Sequence, residues 1–277
     1  MSSIDRYAVF GCPIKHSKSP RIHSLFAEQT GQSLEYSKQE VPAEQFKSAV
    51  SYFFEQGGKG LNCTVPLKEL AWDFASSKTE RAQKSKAVNT LALLADGSIL
   101  GDNTDGQGLV TDLVANNAIH LSRSRILILG AGGASRGIIG PILQLNPEIL
   151  VIANRTVDKA VQLAAEFQNE GAISGCGFDN LSKHQFDLII NATSASLTGQ
   201  LPPLPLGLLA ENGNCYDLAY SNQATPFVTW GLANHAVKSF DGLGMLVEQA
   251  AEAFYIWRKV RPQTRAVVEL LNSERTL

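Results

Sequence analysis

Arg125-Ile-Leu-Ile-Leu-Gly130-Ala-Gly132-Gly133-Ala-Ser-Arg136-Gly137 decides the fold. Ile126 to Leu129 are apolar without alternation, the pattern of a strand buried on both faces of a parallel sheet. Gly130 and Gly132 suit a tight turn whose backbone N–H groups approach a ligand, and Gly137 suits close packing of helix on strand. The helix that follows presents free N–H groups and the positive end of its dipole, a site for a pyrophosphate. A bare Gly-x-Gly carries little weight. Here strand, turn and helix stand in order, and a second apolar run from Glu148 to Ala153 follows at βαβ spacing, so the stretch reads as a dinucleotide site.

Outward from that turn, the second strand ends in Asn154-Arg155-Thr156, with Lys159 one turn on. A site for NAD wants an acidic residue there to hold the ribose 2′-hydroxyl. An amide, a guanidinium, a hydroxyl and a nearby ammonium suit a 2′-phosphate instead, so NADP is favoured. Asp158 is a rival by position but falls inside the next helix. Asp187-Leu-Ile-Ile-Asn191-Ala-Thr193-Ser194 and Cys215 to Tyr220 read as further buried strands. A helix over Pro226–Asn234 and Phe240-Asp-Gly242-Leu-Gly-Met245 come next.

The chain has 277 residues, which suggests two domains at about 150 residues each. A net charge of −2 without a basic block argues against nucleic acid. The first residues carry no apolar stretch like a signal peptide, and no apolar run is long enough to span a bilayer, so a cytoplasmic protein is expected. Cys12, Cys63, Cys176 and Cys215 are widely spaced, with neither Cys-x-x-Cys nor His-Glu-x-x-His, so no metal site is expected.

Before the glycine turn, Tyr7 to Gly11 reads as a strand running into His16-Ser17-Lys-Ser19-Pro20, where an amphipathic helix begins. Ser19 before Pro20 is a good N-cap. Ser17 and Ser19 together with free N–H groups could equally bind a carboxylate. Leu34–Val41 reads as a strand, Ala43–Glu55 as a helix and Gly60–Val65 as a strand that delivers Asn62-Cys-Thr64-Val-Pro66-Leu-Lys68. Lys68 then lies in the first turn of a helix, where the dipole prefers acidic residues. A lysine extending into solvent explains it simply, but such a breach of local rules is also the mark of a working site.

Ala87-Val-Asn89-Thr90 to Leu94 reads as a strand, turned at Asp96-Gly97 into Ser98–Leu100. Gly101-Asp102-Asn-Thr-Asp105-Gly106 lacks the spacing and the closing glutamate of a calcium loop, and Asp105 reads locally as an N-cap for a helix over Gly106–Asn116. A long helix over Met245–Val260 carries the stripe Leu246, Ala250, Ala253, Phe254, Trp257 and Val260. Gln249 beside that stripe is either a surface group or a donor aimed into a cleft. Tyr255 and Lys259 have the spacing of the catalytic pair of short-chain dehydrogenases. In those enzymes, however, the glycine turn lies near the N-terminus, whereas here a long segment precedes it.

These motifs, taken in order over nearly the whole chain, resemble the shikimate dehydrogenases. The resemblance implies an α/β protein of two domains with a cleft between them. Residues 1–104, completed by helices in 242–277, would form the substrate domain, and residues 105–241 a Rossmann domain for NADP. It implies reversible reduction of 3-dehydroshikimate to shikimate, with Lys68 and Asp105 as the catalytic pair. Ser17 and Ser19 would hold the carboxylate. Thr64, Asn89, Tyr220 and Gln249 would contact the substrate, with Asn62 a looser candidate. The implied cofactor contacts are Gly130, Ala131, Gly132, Gly133, Ala134, Ser135, Asn154, Arg155, Thr156, Lys159, Thr193, Ser194, Leu218 and Gly242. Cys63, Leu218, Ser196 and Lys159 depart from the residues common in that family. The rival readings are an enzyme acting on quinate, with NAD or NADP, and a non-catalytic sensor of a related metabolite. Small molecules are the expected partners, of a monomer or a homodimer, with no nucleic acid and no membrane.

Overall fold

The computed structural model describes residues 4–182 and 184–275. The chain divides into two compact units. One takes the chain up to Gly108 and again Val247–Leu271; the other takes Leu109–Leu246 and the residues from Asn272 on.

In the first unit the elements are β1 (Asp5–Gly11), α1 (Ser19–Thr30), β2 (Leu34–Glu40), α2 (Phe46–Glu55), β3 (Gly58–Cys63), α3 (Lys68–Phe74), β4 (Ser77–Lys78), α4 (Glu80–Ser85), β5 (Thr90–Leu93) and β6 (Ile99–Asp102). They build a six-stranded sheet in the order β2-β1-β3-β5-β6-β4. β1 pairs in parallel with β2 and β3, whereas β5 is antiparallel to both β3 and β6. The β5–β6 hairpin turns at Gly97, which has a φ of 84°. One face buries Ala8, Phe10, Val50, Leu61, Leu67 and Leu91. α5 (Asp105–Thr111) leads out of this unit, and its last turn widens into a π-type turn over Asp112–Asn116.

The second unit holds β7 (Arg125–Leu129), α6 (Gly133–Leu143), β8 (Ile149–Ala153), α7 (Val157–Phe167), β9 (Ile173–Cys176), β10 (Phe186–Asn191), β11 (Leu209–Asp217), α8 (Pro226–Ala233) and β12 (Lys238–Phe240). All its strands run parallel, in the order β12-β11-β10-β7-β8-β9. The winding starts at β7, proceeds outward to β9, then returns to β10 beside β7 and proceeds the other way. That reversal is the switch point at which doubly wound sheets bind ligands, and it coincides with the glycine turn. Fully buried Ile126, Ile128, Leu150, Ile152, Leu188 and Ile190 on one face, with Leu127, Leu129 and Ile189 on the other, explain why these strands read as unbroken apolar runs.

α9 (Leu243–Arg258) and α10 (Arg265–Ser273) close the chain. The start of α9 is fixed in the second unit, where Met245 N donates to Tyr216 Oη at 3.2 Å and Tyr216 Oη donates to Asp112 Oδ2 at 2.7 Å. Its C-terminal part belongs to the first unit, where Trp257 Nε1 donates to Leu91 O at 3.0 Å and Arg258 pairs with Asp5.

Several boundaries differ from the sequence reading. α1 begins at Ser19 itself, so Ser19 is not the N-cap; Ser17 Oγ instead accepts from Ser19 N at 3.3 Å. Likewise α5 begins at Asp105, whose N–H donates to Asn103 Oδ1 at 3.1 Å, so Asn103 supplies the cap that Asp105 was expected to give. The helix expected over Ala43–Glu55 opens with a 3-10 turn at Ala43–Gln45. The stripe of α9 includes fully buried Val247, whereas Leu246 is half-buried and Val260 lies beyond the helix, exposed. Among the described residues, no helix is long and apolar enough to cross a membrane.

Candidate active site

In the first unit, three segments distant in sequence meet through polar side chains. Lys68 is the first residue of α3, Asn89 precedes β5, and Asp105 opens α5. Lys68 Nζ donates to Asp105 Oδ2, and Asn89 Nδ2 donates to Asp105 Oδ1 at 2.7 Å. Asp105 is buried, and Lys68 keeps about a fifth of its side-chain surface exposed. The backbone locks the three segments together: Val88 N donates to Lys68 O at 2.9 Å and Asn89 N to Asp102 O at 3.0 Å. Lys68 is therefore not a lysine extending freely into solvent. It faces a carboxylate that offsets its unfavourable place at a helix start.

Asp102 and Asp105, three residues apart, do different work. Asp102 receives both Arg81 Nε and Nη2 at 2.7 Å, and Thr79 Oγ1 at 2.6 Å, so it is tied up in holding the segment. That leaves Asp105 as the acid facing the amine. Gln249, on α9, accepts from Asn89 Nδ2 at 3.2 Å. A Cβ on Gly108 would lie 2.7 Å from the Gln249 backbone nitrogen, so the absent side chain is what lets α5 and α9 approach there. Asn62, at the end of β3, is buried and donates to Asn89 O and Thr90 Oγ1, each at 3.0 Å. Ser19 is buried, Ser17 is half-buried, and Thr64 is half-buried with its methyl against Gly11.

The structure thus joins Lys68, Asp105, Asn89, Asn62 and Gln249 directly by hydrogen bonds. Tyr220 lies in the second unit, in the loop after β11. Three further residues join the network: Thr90 and Thr104 lie within the quoted motifs without an assigned role, and Tyr36 lies outside them. Tyr36 Oη donates to Asn62 Oδ1 at 2.7 Å, Thr90 Oγ1 donates to Asn89 Oδ1 at 2.8 Å, and Thr104 N donates to Asn89 Oδ1 at 2.9 Å. The available signal for Thr90 was a hydroxyl opening a run of apolar strand residues.

In the second unit the glycine turn has the form a dinucleotide needs. Gly130 has a φ of 103°, in the left-handed region that side chains avoid, and Gly130 N donates to Ala153 O at 2.7 Å. A Cβ on Gly132 or Gly133 would meet nothing within 4 Å, so backbone N–H groups at the start of α6 stand open. Ser135 is fully buried and its hydroxyl donates to Gly130 O at 2.7 Å, so its side chain clasps the turn. Ala131 and Ala134 flank the turn, half-buried and exposed. At the end of β8, Asn154 Nδ2 donates to Thr156 O at 2.9 Å, and Arg155, Thr156 and Lys159 are exposed. An open glycine cradle with accessible cations beyond the second strand fits a dinucleotide bearing a 2′-phosphate.

The neighbouring turns converge on the same end of the sheet. Fully buried Asn191 ends β10; its Oδ1 accepts from Thr193 Oγ1 at 2.7 Å and its carbonyl from Leu218 N at 2.9 Å. Asp217 accepts from Ser196 Oγ and Thr225 Oγ1, each at 2.6 Å. Burial pushes the Asp217 carboxyl above its ordinary value, against those hydroxyls. A Cβ on Gly242 would lie 2.2 Å from Leu218 O, so Thr193, Leu218 and Gly242 are held in a fixed relation, with Ser194 exposed beside them.

Comparison with known proteins finds three family matches along the chain. Residues 9–91 match the shikimate dehydrogenase substrate binding domain, residues 112–198 the shikimate / quinate 5-dehydrogenase family, and residues 242–271 the shikimate 5′-dehydrogenase C-terminal domain. A shikimate dehydrogenase (NADP(+)) of Methylococcus capsulatus (Bath) is 61% identical over 275 residues, covering 99% of each chain. The chain belongs to the shikimate dehydrogenase family. Among solved structures, an Ael1 enzyme from Pseudomonas putida is 47% identical, with a TM-score of 0.89, over 96% of this chain and 98% of that one. A shikimate 5-dehydrogenase from Thermus thermophilus, solved with NADP(H) and shikimate, is 31% identical. Its TM-score is 0.87 over 99% of this chain and all of that one.

Within the shikimate dehydrogenase frame the chain's departures sit quietly. Cys63 is buried and its thiol is pushed up by burial, so it packs as a small apolar group. Ser196 adds a hydroxyl that accepts from Asn191 Nδ2 at 3.1 Å and donates to Asp217, fastening the turn after β10.

Proposed function

We infer that this chain catalyses the reversible NADPH-dependent reduction of 3-dehydroshikimate to shikimate, a step toward the aromatic amino acids. The observation that carries the reading is the contact of Lys68 with Asp105, in a chain 61% identical to a shikimate dehydrogenase over nearly its whole length. Its partners on this reading are the two small molecules, not nucleic acid or a membrane. The protein works in the cytoplasm as a monomer or homodimer.

The Gly130–Ser135 turn would hold NADPH, with Arg155, Thr156 and Lys159 at its 2′-phosphate, and the cofactor would supply a hydride when bound. The chain's own residues manage charge and orientation. As hydride reaches the C3 carbonyl carbon, the carbonyl oxygen gains negative charge. Lys68, as an ammonium, stabilises that charge and gives the oxygen a proton; in the oxidative direction the neutral amine takes it back. Asp105 holds the amine on one carboxylate oxygen while Asn89 holds the other, so the lysine has little freedom to turn away. Gln249 and Asn89 present carboxamides to ring hydroxyls, and Ser17, Ser19 and Thr64 receive the carboxylate, with Asn62 and Tyr220 as further contacts.

The test is oxidation of shikimate or quinate, each with NADP or NAD, followed at the reduced-nicotinamide absorbance. Turnover with shikimate and NADP supports the reading. A preference for quinate or NAD replaces it with the quinate-acting reading, and binding without turnover replaces it with a sensor.

A further inference from the structure

At the end of β11, in the second unit, one buried carboxylate gathers donors from several places in the chain. Asp217 Oδ1 accepts from Asn191 Nδ2 and from Ala219 N, each at 3.1 Å. Its Oδ2 accepts from Ser196 Oγ and from Thr225 Oγ1, each at 2.6 Å. Asp217 is fully buried, and among the described residues no lysine or arginine pairs with it. Burial raises its carboxyl above the ordinary value, and the donors oppose that effect. A buried anion held by neutral donors alone is a costly arrangement, of the kind that concentrates at working sites.

Each donor faces Asp217 for a reason of its own. Ala219 offers a backbone N–H. The Asn191 oxygen is taken by Thr193 N at 3.2 Å and Thr193 Oγ1 at 2.7 Å, so the Asn191 nitrogen is turned to Asp217. Ser196 Oγ accepts from Asn191 Nδ2 at 3.1 Å, and Thr225 Oγ1 accepts from Val228 N at 3.2 Å, so each hydroxyl has its proton for Asp217. Position 217 therefore calls for an acceptor on both sides, which a carboxylate supplies and a carboxamide does not.

The strand ends themselves do not need this side chain. Asn191 pairs with Asp217 across β10 and β11, and Leu218 N donates to Asn191 O at 2.9 Å. Beyond those points the chain leaves in two loops. The first returns at Ser196 and the second at Thr225, the N-cap of α8, and both return points close on Asp217 Oδ2. Thr193 and Ser194 lie within the first loop, Leu218 and Tyr220 within the second. The sheet order assigns these loops to one half of a dinucleotide. The glycine turn follows β7, and Arg155 and Lys159 follow β8 on one side of it, whereas β10 and β11 lie on the other side. With the pyrophosphate at the glycine turn and the 2′-phosphate at those cations, the nicotinamide half falls to the ends of β10 and β11.

We propose that Asp217 is a positioning residue for the nicotinamide half of the cofactor, closing the loops that carry Thr193, Ser194, Leu218 and Tyr220. It acts through those loops and has no contact of its own with a reacting atom. The proposal rests on the functional reading above.

Asp217→Asn keeps the shape and sets an NH2 group against donors. The discriminating probe is 2′-phospho-ADP-ribose, which carries the 2′-phosphate and the pyrophosphate but no nicotinamide. With shikimate turnover by the unmutated protein established first, Asp217→Asn is expected to lower kcat/KM for NADP about tenfold. Its affinity for 2′-phospho-ADP-ribose, titrated without substrate, should stay within about twofold of the unmutated value, because the glycine turn and the cations are untouched. The double variant Ser196→Ala, Thr225→Ala removes both donors to Oδ2 and keeps the carboxylate. It should give the same split, which keeps the proposal testable if Asp217→Asn folds poorly. A kcat/KM for NADP within about twofold of the unmutated protein in both variants overturns the proposal. So does an equal loss for NADP and for 2′-phospho-ADP-ribose, since it makes Asp217 a support of the whole unit. Absence of shikimate turnover in the unmutated protein overturns the functional reading instead.

Discussion

Asn89 Nδ2 donates to Asp105 Oδ1 at 2.7 Å while Lys68 Nζ donates to Oδ2 of the same carboxylate. The two oxygens of one buried acid are thus divided between an amide and an amine. An acid placed in this way cannot rotate without losing a partner, and the amine it holds is the group that retains access to solvent.

The first prediction concerns that amine. Lys68→Ala removes the proton donor and the cation beside the reacting oxygen, and leaves the remaining substrate contacts in place. Its kcat for shikimate oxidation should fall by roughly 10²–10⁴-fold, with KM changed much less. Steady-state kinetics at saturating NADP check it, and near-normal turnover removes Lys68 from the catalytic role.

Cofactor choice is the second. Arg155 and Lys159 are exposed at the end of β8 and the start of α7, where a 2′-phosphate would be met. Charge-assisted hydrogen bonds contribute about 1.5–3 kcal/mol each. The double variant Arg155→Ser, Lys159→Ala should therefore lose on the order of 10²-fold in kcat/KM for NADP, while kcat/KM for NAD changes little. Equal losses with both cofactors would contradict a 2′-phosphate site at these residues.

Gly242 supplies the third. Its added Cβ would lie 2.2 Å from the Leu218 carbonyl oxygen, a backbone atom that cannot swing aside. Gly242→Ala should cost about 1–3 kcal/mol of stability and raise the KM for NADP, because Leu218 and the start of α9 are forced apart. Denaturant unfolding and cofactor titration read the two effects. Unchanged values for both would show that the strand end yields freely.

The fourth prediction is a pH dependence of stability. His23 titrates near 3 in the folded protein, against an ordinary value of about 6.5 in the unfolded chain. Between those values the unfolded state binds a proton that the folded state refuses. The contribution of His23 is therefore fully present above about pH 6.5 and declines as pH falls, by up to about 1.4 kcal/mol per pH unit. His23→Phe, which keeps an aromatic ring among Tyr36, Phe26, Phe254 and Trp257, should flatten the loss of stability between about pH 6 and 4. Parallel curves for the two proteins would mean that His23 is not the group taking up the proton.

Much of the second unit is legible in the sequence because its signals are local. The apolar run Ile126–Leu129, the glycines at 130, 132 and 133, and the cations at 155 and 159 each lie within one βαβ passage, and backbone geometry converts spacing directly into position. The first unit is less so. Asn62 and Thr90 lie on strands that pair antiparallel, with Asn62 opposite Thr90, and nothing in either stretch announces the other. Tyr36 is the fully covered residue of a strand whose other positions are mostly exposed, and its partner is far along the chain. Cap positions also mislead at short range. Ser19 and Asp105 have the right chemistry for N-caps, yet Ser17 and Asn103 hold their N–H groups, which leaves both side chains available for other partners.

The most direct measurement is the initial rate of NADPH formation when the purified protein is mixed with shikimate and NADP, with quinate and NAD in parallel. Rapid reduction of NADP by shikimate, far exceeding the other three combinations, is the result predicted by the Lys68–Asp105 site and the Arg155–Lys159 pair. Binding of shikimate without any reduction of either cofactor would contradict it, and would leave the ion pair as an element of a binding protein.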